Sequence, residues 1–183
     1  MEHVTIGYER GGAVRRVVID RPDKRNALSR EMFATLTREF EREPPASEAV
    51  TVIESTGHVF CSGIDLNERL AHGAPPLAEL CEAISAYPLP VVARVQGDAI
   101  AGGAFLALAC DFIVADEAAK LWVSLVQIGL APPWPLTRRL ARIAGPQFAR
   151  ELVLLGDPVS CARLAEGQVV TAAVPASDLA ATT

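Results

Sequence analysis

The chain has 183 residues, half of them hydrophobic, with thirteen Gly and thirteen Pro; this fits one globular domain, residues 1–183, with a real core. A net charge of −5, with only Lys24 and Lys120 as lysines and no basic run, excludes a nucleic-acid surface, which needs a basic face. The longest apolar stretch, around residues 99–110, is too short and glycine-rich to span a bilayer, and Met1-Glu2-His3-Val4 has no basic segment leading into an apolar run. A soluble, cytoplasmic protein without membrane contact is expected.

Residues 13–20 read as a strand, with β-branched Val14, Val17, Val18 and Ile19 and a stop at Arg21-Pro22-Asp23. Ser29 is placed to cap a helix over 30–41, in which Met32, Phe33, Leu36 and Phe40 recur at helical spacing; Glu43-Pro44-Pro45 ends it. Residues 50–55 form a second, mostly apolar strand, so one buried on both faces. A glycine-bearing loop over 56–63 follows, then a short helix from about Asp65, broken by His72-Gly73-Ala74-Pro75-Pro76, and a helix over 77–87. A third strand spans 90–96. A turn over 97–103 leads into a helix to about Cys110, and 112–115 is a fourth strand. Beyond a proline-rich stretch, 131–135, helices are expected near 137–143 and 147–155, and a last short strand at 169–174. Strands alternating with helices through short links define an α/β fold with a mainly parallel sheet.

Cys61, Cys81, Cys110 and Cys161 are widely spaced, each among apolar residues. No Cys or Cys/His spacing defines a metal site, so they read as small core residues in a reducing compartment.

Two turns join a buried strand to a helix through glycine: Phe60-Cys61-Ser62-Gly63-Ile64-Asp65, and Gly97-Asp98-Ala99-Ile100-Ala101-Gly102-Gly103-Ala104. A helix start leaves backbone N–H groups unpaired and carries partial positive charge, and glycine admits close approach. Two such turns facing each other would aim two donors at one oxygen, an oxyanion hole. Taken singly, each reads as an ordinary strand–helix turn with glycine for packing. Neither is a phosphate loop, because the Gly-x-Gly-x-x-Gly spacing is absent and no Lys follows.

In order along the chain, Arg21-Pro22-Asp23-Lys24-Arg25-Asn26-Ala27-Leu28, Phe60-Cys61-Ser62-Gly63-Ile64-Asp65-Leu66, Pro90-Val91-Val92-Ala93 through Ala101-Gly102-Gly103 to Ala109-Cys110-Asp111, and Ile128-Gly129-Leu130 with Pro132 resemble the motifs of the crotonase superfamily, the enoyl-coenzyme A hydratase/isomerase family. The resemblance covers residues 13–175. It implies the crotonase (ClpP-like) α/β fold built from ββα units. It assigns the oxyanion donors to the backbone N–H groups of Ile64 and Gly102. It implies a coenzyme A thioester as substrate, no tightly bound cofactor and no metal. Lys24, Arg25, Ala27 and Ser62 are the implied coenzyme A contacts; Lys24 and Arg25 would meet phosphates as charge-assisted donors or belong to a solvated loop. Asp65 reads as the cap of the helix after the first turn.

The chain departs from the family at two functional positions. The two glutamates with which the family's hydratases activate water fall on Phe105 and Leu125, neither of which can carry a proton. The aspartate of the family's dehalogenases falls near Pro133. The usual C-terminal helical segment, which covers the site and helps build trimers, is lacking, although the resemblance implies a homo-oligomer, trimer or hexamer. Asp98, Ser124, Gln127, His58, His72 and Cys61 are the polar or reactive groups nearest the turns, each also readable as a turn, cap or surface residue, and Trp122 and Trp134 are expected to pack around the acyl pocket. Two functions follow. One is an enzyme on acyl-CoA or carrier-bound thioesters that stabilises an enolate, as in decarboxylation or an isomerase-type reaction. The other is a non-catalytic acyl-thioester binder or assembly protein.

Overall fold

A computed structural model describes residues 3–73 and 76–183. In chain order the elements are β1 (Val4–Glu9), β2 (Val14–Ile19), α1 (Arg30–Glu41), β3 (Val50–Ser55), β4 (Val59–Cys61), α2 (Leu66–His72), α3 (Leu77–Ala86), β5 (Val91–Val95), β6 (Asp98–Ile100), α4 (Gly102–Ala109), β7 (Phe112–Asp116) and β8 (Lys120–Trp122). Then follow α5 (Trp134–Ala144), α6 (Pro146–Arg150), β9 (Val159–Ser160), α7 (Cys161–Glu166), β10 (Ala172–Val174) and α8 (Leu179–Thr182).

Two sheets share these strands. The larger has the order β1-β2-β3-β5-β7-β10, parallel except for β1. The smaller has the order β4-β6-β8-β9, parallel except for β9. Each long strand of the central repeat hands on to a short one: β3 to β4, β5 to β6, β7 to β8. A helix or helical turn follows each short strand, so the repeating unit is ββα. Residues 56–63 and 97–103, expected as loop and turn, therefore each contain a three-residue strand. Three residues show no alternation to read, and both strands are buried or nearly so. β1, β8, β9 and α7 were likewise not legible. The last strand is shorter than expected, because Val169 and Val170 turn into the core before β10 begins.

Elsewhere the sequence signals act as expected. The Ser29 hydroxyl accepts from the Met32 amide at 3.2 Å, capping α1, and Met32, Phe33, Leu36 and Phe40 are buried. The proline-rich stretch opens α5 rather than preceding it: Pro133 is its N-cap and Pro135 lies in its first turn, where a missing N–H costs nothing. One buried cluster joins Val17, Ile53, Ala93 and Ile113 of the large sheet to α1, α3 and α4.

All four cysteines lie unpaired in the core. Burial pushes the thiols of Cys61 and Cys81 up to about 12, so neither supplies a thiolate near neutral pH.

α4 lies at the centre. All eight of its residues are buried, as an all-apolar helix requires. Its C-terminal carbonyls are capped by Arg139 of α5, whose Nε donates to the Leu108 carbonyl at 2.7 Å and whose Nη2 donates to the Ala109 carbonyl at 2.8 Å. At the other end Gly103 lies against β4: a Cβ there would stand 2.1 Å from the Cys61 carbonyl oxygen. Backbone cannot yield as a side-chain tip can. Gly103→Ala is therefore expected to destabilise the chain by more than about 2 kcal/mol, the upper part of the overpacking range, as measured by the urea unfolding midpoint.

Candidate active site

The first glycine turn leaves β4. The loop before α1 lies alongside it as a short parallel bridge between Leu28 and Ile64. The Leu28 amide donates to the Gly63 carbonyl at 2.7 Å, and the Asp65 amide donates to the Leu28 carbonyl at 3.0 Å. In such a ladder the intervening residue turns its own N–H the other way. The Ile64 amide therefore points away from Leu28, towards the second turn.

Asn26 is fully buried and fastens that loop. Its side-chain nitrogen donates to the carbonyls of Thr56 and Val59, both at 2.7 Å, and its side-chain oxygen accepts from the Arg21 amide at 2.8 Å. Arg21 in turn donates to the Asp65 carboxylate at 2.8 Å and to the Ala27 carbonyl at 3.0 Å. Asp65 also caps α2, accepting from the Asn67 amide at 3.0 Å. The Arg21 guanidinium holds the Asp65 carboxyl below its ordinary value.

The second turn leaves β6. β6 is the parallel neighbour of β4, with Val59 opposite Asp98 and Cys61 opposite Ala99, so both turns emerge at the same end of the small sheet. A Cβ on Gly63 would lie 2.8 Å from the Gly102 nitrogen, and one on Gly102 would lie 3.5 Å from the Ile64 nitrogen. Gly63 has φ +92°, so only glycine sits there without strain. Among the described residues, neither the Ile64 nor the Gly102 amide has a hydrogen-bond acceptor. Gly102 is the first residue of α4 and lies at the positive end of that helix.

Both residues line one cavity of about 440 Å³. Lys24, Arg25, Ala27 and Ser62 line it too, so all six residues singled out in the sequence come to one place. Ile100, Leu77, Leu125, Ile128 and Leu130 form an apolar part of its wall. The carboxyl end of β8 brings in Ser124 and Leu125, so all three parallel strands of the small sheet deliver residues to the cavity. Ligands commonly occupy this side of a parallel sheet.

The other candidates are elsewhere. Phe105 is buried in the core and does not line the cavity. Asp98 accepts from the Lys120 amide at 3.0 Å, a contact between strand starts. Gln127 donates to the Gly156 carbonyl at 2.8 Å. His58 is exposed away from the cavity, Cys61 is buried, and the His72 side chain, like Ala74 and Pro75, lies outside the described residues. Neither tryptophan packs around the pocket as expected: Trp122 donates to the Gly156 carbonyl at 2.6 Å, and Trp134 is 72% exposed on the first turn of α5. Sequence reasoning missed Arg21, whose pairing with Asp65 joins two motifs 44 positions apart, and missed Asn67 and Arg69 of α2, which line the cavity. No periodicity marks these residues. Among the described residues no helix is long and apolar enough to cross a membrane.

A family model described as enoyl-CoA hydratase/isomerase matches residues 9–183, and the chain belongs to that family, whose members act on acyl-CoA thioesters. It is 30% identical over 178 residues to the enoyl-CoA isomerase/hydratase of Mycosarcoma maydis, covering 88% of this chain and 65% of the relative. It is 31% identical over 169 residues to the 2,3-dehydroadipyl-CoA hydratase of Escherichia coli K12, covering 89% and 66%. The chain thus spans just under two thirds of the length of both curated relatives. A solved structure from Thermobifida fusca YX, described as a candidate enoyl-CoA hydratase in complex with CoA, superposes with a TM-score of 0.87 at 28% identity, over 98% of this chain and 75% of that one. The architecture is the crotonase fold.

Two outcomes are expected from this geometry. Ala101, at φ 50° and ψ −113°, occupies a conformation that suits glycine. Ala101→Gly should raise stability by about 1 kcal/mol in chemical denaturation, the strain released exceeding the added chain entropy. Asp65→Asn keeps a good cap but loses the charge facing Arg21, at a cost of roughly 1–3 kcal/mol. Because the folded pKa is depressed, this stabilisation is fully present above the ordinary value of 3.8 and is lost as pH falls through the lower folded value. Unfolding curves of the two proteins should therefore converge in acid.

Proposed function

We propose that this chain binds an acyl thioester, on coenzyme A or on a carrier's pantetheine arm, and stabilises the enolate of its acyl group between the Ile64 and Gly102 amides. The observation that carries the reading is the pair of acceptor-free amides side by side on the cavity wall. Negative charge that develops on the thioester oxygen would meet donors already in place, and donors of this kind are each worth about 10²–10³ in rate. Lys24 and Arg25 would pair with phosphates, while Ala27 and Ser62 offer backbone along the pantetheine. The solved relative described as a CoA complex supports a coenzyme A thioester as the ligand.

Water addition by two glutamates is not part of this reading. Position 105 is in the core and position 125 presents a leucine. Asp65, the carboxylate on this wall, is already committed to Arg21 and to the cap of α2. The chemistry that fits needs no side-chain base to form the enolate, and decarboxylation of a malonyl-type thioester is of this kind. The bond between the α-carbon and the carboxylate breaks, carbon dioxide leaves, and the electron pair passes into the enolate. A solvent proton then completes the acyl product. Assembly as a trimer or hexamer belongs to the same proposal.

Mass spectrometry after incubation with malonyl-CoA and crotonyl-CoA tests this directly. Acetyl-CoA should form from the first, and the second should remain unhydrated. Gly102→Pro removes one donor and crowds the first turn, since a Cβ there would stand 3.2 Å from the Gly63 Cα; it should slow decarboxylation about 10²-fold or more. Hydration of crotonyl-CoA, or a malonyl-CoA pool that stays intact, would overturn the mechanism.

A further inference from the structure

Arg69 lies on α2 and lines the cavity that holds the Ile64 and Gly102 amides. It also borders a small recess formed with Leu28, Arg30, Ile64, Glu68 and Gly73. Its backbone is tied down: its amide donates to the Asp65 carbonyl at 3.0 Å and its carbonyl accepts from the Gly73 amide at 2.9 Å. Its guanidinium is not. Among the described residues it makes no hydrogen bond and no ion pair, although the residue is only partly exposed.

The acids nearby are engaged elsewhere. Asp65 is held by Arg21 at 2.8 Å, and Glu68 accepts from the Arg30 amide at 2.6 Å. Adjacent residues on a helix do not face each other, so Glu68 is badly placed to serve Arg69. Aliphatic Leu77, Ile100 and Leu125 line the same cavity. A guanidinium presents donors in a rigid fork that matches a carboxylate, and it binds most strongly where water is thin.

Resting on the reading above, we infer that the acyl group carries a carboxylate and that Arg69 receives it, so the site takes short dicarboxylic acyl thioesters in preference to simple acyl thioesters. Malonyl is the shortest of that class. Lys24 and Arg25, which do not border the recess, are left for the nucleotide phosphates. The contact is one of specificity: when the carboxylate departs as neutral carbon dioxide its charge has moved to the thioester oxygen, away from Arg69 and onto the two amides.

Calorimetric binding of succinyl-CoA and glutaryl-CoA, which the proposed decarboxylation does not consume, against butyryl-CoA, valeryl-CoA and coenzyme A alone, tests the inference on the intact chain. Both dicarboxylic thioesters should bind at least about tenfold tighter than their uncharged counterparts, the worth of one charge-assisted hydrogen bond. Arg69→Met should abolish that preference and leave the affinity for coenzyme A and valeryl-CoA unchanged, whereas Arg69→Lys should retain part of it. The two variants share a position and differ in charge, and a thermal melt equal to that of the wild type shows that each folds. Equal affinity for glutaryl-CoA and valeryl-CoA in the wild type would overturn the inference while leaving the thioester site standing. So would a uniform loss in Arg69→Met that includes coenzyme A, since the arginine would then serve phosphate. Failure of every thioester to bind more tightly than coenzyme A would overturn the site reading and this inference together.

Discussion

The parallel pairing of two three-residue strands, β4 and β6, is the constraint on which the rest of the site depends. Neighbouring parallel strands end on the same side, so the turns that follow them are forced together. Register then decides how closely. With Cys61 opposite Ala99 the two glycines abut, and a Cβ on Gly63 would meet the Gly102 nitrogen at 2.8 Å. A slip of one residue would turn Ile64 and Gly102 to other faces. Nothing in the cavity fixes that register directly. It is held from outside by Gly103 pressed on the Cys61 carbonyl, by α4 packed in the core, and by the loop of residues 21–28 clamped through Asn26.

That loop links the fold to the chemistry. Its backbone ladder turns the Ile64 amide outward, Arg21 pins Asp65, and Asp65 starts α2. The same short segment therefore orients one donor and positions the helix that carries Arg69. Lys24 and Arg25 stand on it as well. A ligand reaching from these cations to the two amides would touch several consequences of one buried asparagine.

The sequence made the long elements and the two glycine turns legible, because both rest on local chemistry. Hydrophobic spacing marks α1, β-branched runs mark β2, β3 and β5, and glycine before a helix marks a turn. The second sheet was not legible. Its strands are two or three residues long, shorter than any period can be read, and they exist only because the long strands beside them bring their ends into line. Long-range pairs were hidden for the same reason. Arg21 and Asp65 each have a satisfying local role, in a motif and as a cap, and nothing local requires them to meet. Arg69 gives no sign at all in the sequence, because its meaning lies in what does not surround it. The two tryptophans misled: their size suggests pocket walls, but one hydrogen-bonds a distant carbonyl and the other stands mostly in solvent.

Phe105 stands where the family resemblance would place a water-activating glutamate. Its side chain is only 2% exposed, on a helix walled in along its whole length. A glutamate returned to that position would have to enter a dry interior, and burial would keep it neutral and out of reach of any ligand. A water-activating carboxylate at this position would need the interior around α4 to open as well as a new side chain.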